Sequence, residues 1–329
     1  MNNKRILIIG GTGALGKTLI RLYQDTNTIK VFSRDEHKQV GLAASTWVKK
    51  TVSYVIGDVK DKDSIINVIE DFQPHIVINT AALKHVPICE INPIESVKVN
   101  ILGHQNLIEA VQRARHQIET LIFISSDKAC KPINTYGMCK AISERLYIEF
   151  AKKQSAIRVC LVRYGNVLES TGSVIPLFKM MLERGDTFLP ITDPRMTRFL
   201  LTLEQAAGLI EWAYYCAWSH GKIAVPKVKS FLITDIAKAL IRNKYGDENA
   251  VELKTVGVRP GEKIHEEMIS AEEWMRTMTH TNGTSGAEFE NYLISDDLIR
   301  NEAKSYNSFE ARMEDSNAVF EFLKDCKVI

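Results

Sequence analysis

From the first residue to about Arg163, short unbroken apolar runs alternate with longer stretches in which apolar residues recur every three or four positions. The runs predict strands over 5–9, 29–33, 52–56, 75–79, 120–125 and 157–163, and the amphipathic stretches predict helices near 14–24, 62–71, 94–115 and 136–153. Ile6-Leu7-Ile8-Ile9 and Leu121-Ile122-Phe123-Ile124 carry no polar residue at alternate positions. Strands of that kind are buried on both faces, as in a parallel sheet covered by helices. Short connections and right-handed crossovers make the expected fold class α/β, a doubly wound parallel sheet with a smaller C-terminal lobe.

After Arg163 the rhythm breaks. Loops, prolines and mixed patterns fill 172–200 and 225–290, with a helix near 203–218 returning to the sheet. The expected division is a sheet domain over 1–166, rejoined by 196–224, a lobe built from 167–195 and 225–290, and a helical tail over 291–329. The polar, glycine-containing stretch 279–286 reads as an exposed loop.

Composition narrows the class of partner. A hydrophobic share of 45% and a charged share of 25% are those of a soluble globular protein. A formal charge of +2 argues against a bulk electrostatic surface for nucleic acid or membrane. The six cysteines have no metal-ligand spacing, so they read as buried free thiols in a reducing compartment and no metal is expected. No segment approaches the ~18–20 apolar residues of a membrane span. The apolar run before the first glycines is too short for a signal peptide, and the chain reads as cytosolic.

Gly10-Gly11-Thr12-Gly13-Ala14-Leu15-Gly16 follows the first strand and opens the first helix. Glycines there allow a tight turn and close approach of the backbone to a pyrophosphate at the helix N-terminus, which is the Rossmann arrangement. The second strand ends Ser33-Arg34, followed by Asp35 and Lys38. A serine and a guanidinium suit a ribose 2′-phosphate, so NADP is the expected cofactor, with Asp35 the residue that would instead favour NAD. Asp58, after the third strand, is placed to bond an adenine amino group, whereas Asp61 suits the cap of the helix that follows. Ala81, Ala82 and Leu83 end the fourth strand with little bulk against a dinucleotide, and Lys84 can point toward substrate or phosphate.

The chemistry concentrates after the fifth strand. Ser126-Asp127-Lys128 and Tyr136…Lys140 place a hydroxyl, a carboxylate, two amines and a phenol close together. Tyr136 and Lys140 share a helix face by their i, i+4 spacing, and an ammonium beside a phenol favours phenolate. That pair is a device for removing the proton of a secondary alcohol. Glu262, Lys263, His265 and Glu266 read as a helix-face set of salt bridges.

Taken together, these segments resemble the extended short-chain dehydrogenases, and within them the inverting UDP-N-acetylglucosamine 4,6-dehydratases. The likeness runs from about Lys4 to Ile269. It includes Ala-Ala-Leu-Lys-His-Val-Pro at 81–87, Ser-Asp-Lys-Ala at 126–129 and Arg-Tyr-Gly-Asn-Val at 163–167. Further on it includes Ile-Thr-Asp-Pro-Arg-Met-Thr-Arg-Phe at 191–199 and Arg-Pro-Gly-Glu-Lys-Ile-His-Glu at 259–266. The resemblance implies that Tyr136 deprotonates the C4 hydroxyl as hydride leaves C4, with Lys140 on the cofactor ribose. Lys128 would take the C5 proton, and Asp127, beside Ser126, would assist loss of the C6 hydroxyl. It also implies cofactor contacts from Val59 and Val167, substrate contacts from Lys84, Asn166, Thr192, Arg195 and Arg259, and a homo-oligomer, dimer or hexamer. UDP-N-acetylglucosamine is the implied substrate.

Two departures stand out. Ser126 replaces a frequent threonine, and Leu-Glu-Ser-Thr at 168–171 replaces a run that often holds an arginine, which removes a sugar-nucleotide contact at Thr171. Three other activities fit the same fold: a 4-epimerase, a retaining dehydratase and a non-catalytic NADP sensor. An epimerase has no use for Asp127 and Lys128 together, and a sensor would be expected to lack the tyrosine or the lysine.

Overall fold

Six parallel strands carry the first half of the chain: β1 (Arg5–Ile9), β2 (Thr28–Ser33), β3 (Val52–Ile56), β4 (Ile76–Asn79), β5 (Thr120–Ile124) and β6 (Arg158–Val162). The computed structural model describes residues 1–116, 118–170, 172–280, 290–296 and 302–329. The strands lie in the order β3-β2-β1-β4-β5-β6. Beyond β6 the strand Ile223–Pro226 adds in parallel, and Asn291–Ile294 and Thr277–His280 follow antiparallel, completing a nine-stranded sheet. Side chains of β1, β4 and β5 are buried on both faces, as their unbroken apolar runs require. Strand order reverses between β1 and β4, and in such sheets ligands bind at the carboxyl ends beside that switch.

A second core forms the lobe. Phe178 and Leu182 of the helix Val174–Arg184 pack with Phe231, Ile236 and Leu240, and with Val319 and Leu323 of the helix Ser316–Asp325. A buried ion cluster joins the lobe to the sheet. Arg163, 1% exposed, forks onto Glu144 (2.9 and 2.7 Å) and Glu273 (2.8 and 2.8 Å) and donates to the Met268 carbonyl at 2.7 Å. Removing one member of such a cluster strands a buried charge, so the three side chains hold strand, helix and lobe in one arrangement.

The structure departs from the sequence reading in three places. Among the described residues of 291–329, Asn291–Ile294 is a sheet strand, Tyr306–Asn307 pairs with Glu267–Ile269, and only Ser316–Asp325 is helical, so they do not form a helical tail. A four-residue strand is too short to show a period. The helix expected over 94–115 is divided into Pro93–Val97, a π-helical turn at Lys98–Leu102 and Gly103–Arg113, and a further helix, Val86–Ile91, precedes it. The turn lets Asn100 leave the helix ladder. Its side chain pairs with the Leu83 backbone, accepting from the N–H and donating to the carbonyl at 2.8 Å each. In the third place, 259–266 contains no helix, because Pro260 and Gly261 (φ +80°) turn the chain there. Of the loop expected over 279–286, residues 279 and 280 belong to the strand Thr277–His280, and the rest lies outside the described residues, as does Thr171.

Candidate active site

Gly10 leaves β1 with φ +79°, and a Cβ there would meet the Ala81 backbone at 2.8 Å. Glycine therefore lets the turn after β1 lie against the segment after β4. Gly16 packs even closer, since a Cβ on it would stand 2.4 Å from the Gly11 backbone. Gly13 caps the helix Ala14–Tyr23 with no side-chain bond, which leaves its first N–H groups directed at the crevice. This cradle, with Thr12, Ala14 and Leu15 around it, fits a dinucleotide pyrophosphate. Asn100 fixes the facing wall, because its amide holds Leu83 and with it the Ala81–Ala82–Leu83 segment. Nothing in the residue pattern signals this role for Asn100.

At the end of β2, Ser33 is buried and accepts a hydrogen bond from Gln39 at 2.9 Å. Arg34 is more than half exposed, and its nearest acid is Asp58, at 3.9 Å. Asp35 caps the helix Glu36–Ala43 by accepting from the Lys38 N–H, and it pairs with the Lys38 ammonium at 3.0 Å. Its carboxylate is thereby turned to local use, as is that of Asp61, which caps Lys62–Phe72. Asp58 bonds the Lys60 N–H and pairs with Lys60, and Val59 packs closely under Gly103.

The second wall is built by the helix Thr135–Lys153. Asn134 caps it by accepting from the Gly137 N–H at 2.8 Å and ties it to the lobe by donating to the Gly261 carbonyl at 2.8 Å. Gly137 lets this helix dock: a Cβ would stand 2.2 Å from the Lys128 carbonyl oxygen. That contact brings Tyr136 beside Ser126, Asp127 and Lys128, which follow β5 in a short 3₁₀ turn. Asp127 is fully buried. Ser126 Oγ donates to its Oδ1 at 3.0 Å, and Lys128 Nζ lies 3.1 Å from the same oxygen. Lys128 Nζ also lies 3.4 Å from Oε1 of Glu266, which is 3% exposed.

Burial raises the pKa of Asp127 above the usual carboxylate range, against the pull of Lys128 and with the help of Glu266. Burial opposes the Lys128 ammonium as well, but Asp127 and Glu266 outweigh it and leave its pKa above that of an ordinary lysine. Tyr136 is pushed up to about 12 by burial, and the cation that draws it back is Lys128. Lys140 is lowered by burial to about 7. Its Nζ donates to the Ile124 carbonyl at 2.7 Å and lies over the Phe123 ring. The i, i+4 spacing does bring both side chains into the crevice wall, yet Lys128 takes the electrostatic part that the spacing assigned to Lys140. Lys128 would have to be neutral to act as a base, and in the free protein two carboxylates hold its proton against burial.

The remaining candidates are spread around the crevice. Asn166 has a buried Oδ1 with no hydrogen-bond partner. Arg195 is exposed and forked onto Asp193 next to Thr192, and Arg259 is exposed beside Glu262 at 3.7 Å. Lys84 lies on the exposed side of the segment after β4, and Val167 pairs with Leu201 in a small sheet. The expected salt-bridge set over 262–266 is dispersed. Lys263 donates to the Cys130 carbonyl, His265 bonds Thr197, and Glu266 joins Lys128. Cys89, Cys130, Cys139, Cys160 and Cys216 are buried free thiols.

A family model described as polysaccharide biosynthesis protein matches residues 6–287. A Campylobacter jejuni protein named UDP-N-acetylglucosamine 4,6-dehydratase (inverting) is 41% identical over 306 residues, 91% of this chain and 84% of that one. A Rickettsia typhi protein named UDP-glucose 4-epimerase is 36% identical over 282 residues, 82% of this chain and 79% of that one. The X-ray structure of Pen from Bacillus thuringiensis superposes with a TM-score of 0.86 at 30% identity, covering 100% of this chain and 99% of that one. With its dinucleotide cradle and its buried tyrosine and lysine, the chain belongs to the polysaccharide biosynthesis protein family of extended short-chain dehydrogenases.

Proposed function

We propose that the protein is a UDP-N-acetylglucosamine 4,6-dehydratase that inverts C5, a hydro-lyase working with bound NADP. The observation that carries this reading is the meeting of Asp127, Lys128 and Tyr136 in one buried site. Oxidation at C4 needs one proton acceptor, and C4 stays a ketone in the product, because the hydride taken there would return to C6. Elimination needs two more, a base for C5 and an acid for the C6 hydroxyl. A bound nicotinamide supplies reversible hydride exchange with the sugar. Tyr136 takes the C4 hydroxyl proton, Lys128 takes the C5 proton, and the raised pKa of Asp127 suits it to give a proton to the departing C6 hydroxyl. Before it can act, Lys128 must pass its own proton on. The Glu266 carboxylate, 3.4 Å from its Nζ, is the acceptor beside it.

NMR of the pure protein with UDP-N-acetylglucosamine tests the assignment. The expected product is UDP-2-acetamido-2,6-dideoxy-L-arabino-hexos-4-ulose, recognised by its new C6 methyl group. A C4 epimer without a methyl group would establish the epimerase activity that the name of the Rickettsia relative carries. A methyl product of unchanged C5 configuration would establish the retaining course.

NADP is favoured over NAD because the Arg34 fork is exposed at the end of β2 while Asp35 is committed to its helix cap. The nucleotide released on denaturation should be NADP(H). Arg34→Asp should shift preference toward NAD by roughly ten- to a hundredfold, the worth of a charged hydrogen bond of ~1.5–3 kcal/mol. Release of NAD(H) alone from the unaltered protein would reverse the assignment.

A second copy of the chain is the proposed cover for the outer face of the helices flanking the site. Leu102 (51% exposed) and Ile142 (48%) are exposed apolar residues of these helices, as are Ile91, Ile94 and Met138. Leu107 and Val111 are buried in the sheet core, and Leu146 packs against that core. Light scattering at micromolar concentration should give a dimer or a larger closed assembly, and a monomer would exclude the pairing.

A further inference from the structure

Glu266 is absent from the catalytic set legible in the sequence, yet it reaches the reacting lysine. Its Oε1 lies 3.4 Å from Lys128 Nζ, on the other side of which Asp127 Oδ1 lies at 3.1 Å. Both carboxylates are nearly or wholly buried, and each has one oxygen with no hydrogen-bond partner, Oδ2 of Asp127 and Oε2 of Glu266. Two buried carboxylates thus share one ammonium. Because the two share this one ammonium in contact, the carboxylate with fewer other cations around it is driven to keep a proton.

The surroundings select which. Glu266 faces Arg198 and Lys263 as well as Lys128. Its backbone is fixed, since its N–H donates to Ser308 Oγ and its carbonyl accepts from the Ser308 N–H, each at 2.8 Å. Asp127 faces Lys128, the Glu266 carboxylate, the Ser126 hydroxyl and the Tyr136 phenol. Three cations act on Glu266 and one on Asp127. We propose that Glu266 is a positioning residue, the fixed counter-ion of Lys128, and that in this role it leaves Asp127 a carboxylic acid able to protonate a departing hydroxyl. The direction of the Asp127 shift agrees. The acid's part in elimination rests on the dehydratase reading, whereas the placement of the proton does not.

The test needs no substrate. The carboxyl carbon of Asp127 is followed by NMR in protein labelled with ¹³C-aspartate and assigned by its loss in Asp127→Asn. In the unaltered protein it should titrate above the ordinary aspartate value of about 3.9. In Glu266→Gln the titration should fall by on the order of one unit, because a neighbouring negative charge is gone. With substrate, the alkaline limb of kcat should move to lower pH by the same shift while KM holds, and Glu266→Asp should restore the limb. A carboxylate that only stabilised the fold would lower the melting temperature and move neither titration nor limb. Should the glutamine variant fail to fold, Glu266→Asp decides alone: its Asp127 must still titrate high. Unaltered protein that makes no 6-deoxy product would fault the dehydratase reading and leave the titration to judge this one. An Asp127 titration equal in Glu266→Gln and unaltered protein overturns the proposal.

Discussion

Tyr136→Phe should retain substrate affinity within a few-fold and lose on the order of 10²–10⁴ of kcat, the usual worth of a positioned acid–base group. The ring is buried where the helix Thr135–Lys153 docks on Lys128, so phenylalanine fills the same space and the fold is kept. Only the hydroxyl is removed. In the free protein that hydroxyl is a poor base, its pKa near 12 because burial disfavours phenolate. Lys128 and Ser126 pull in the opposite direction. A bound nicotinamide ring in its oxidised form adds positive charge to the crevice, which lowers a nearby phenol further. No oxidation at C4 should then be detectable in the variant, and no 6-deoxy product should form. Turnover within tenfold of the unaltered protein would remove Tyr136 from the chemistry and leave Lys140, with a pKa of about 7, as the next group to consider.

How far the sequence reached is set by how local each signal is. Strands β1 and β5 were legible because their apolar runs are unbroken, and the glycine turn because its spacing is tied to one backbone path. Tyr136 and Lys140 were legible as a pair because a helix repeats every 3.6 residues. What the spacing could not give was the partner of Lys140, since the Ile124 carbonyl is a backbone group that leaves no mark in side-chain identity. Asn100 was hidden for a related reason. A π-helical turn has no composition of its own, and the Leu83 backbone that the asparagine holds belongs to another element. Glu266 was misplaced because its helix was assumed. Once Pro260 and Gly261 turn the chain, the glutamate meets a lysine that only tertiary folding brings near. The charge state of Lys128 follows from that meeting, so it too lay beyond reading by position.

Lys128→Ala should divide the reaction at C5. If Tyr136 serves C4 and Lys128 serves C5, the variant keeps the first step and loses the second. Incubated with UDP-N-acetylglucosamine in heavy water, the unaltered protein should give product carrying deuterium at C5. The variant should lose C5 incorporation and 6-deoxy product together, by on the order of 10²–10⁴ in rate. Substrate recovered from it should still show oxidation at C4, as reduced cofactor that appears on mixing and does not decay. Stability changes in a direction the site also predicts. Without the ammonium, Asp127 loses the cation in contact with it while Glu266 stays nearby, so Asp127 takes a proton instead of remaining charged in a dry site. The loss of stability should therefore ease as pH falls, because the protonated carboxyl no longer needs a counter-ion. The sign follows from the direction of the Asp127 shift: a carboxyl whose pKa is raised in the folded state destabilises it at higher pH, and that cost eases as pH falls through the folded pKa and is gone below the unfolded value. A Lys128→Ala protein that still exchanges C5 at the normal rate would take Lys128 out of the mechanism. Asp127 would then be the remaining base in contact with the site, and inversion at C5 would lose its structural support.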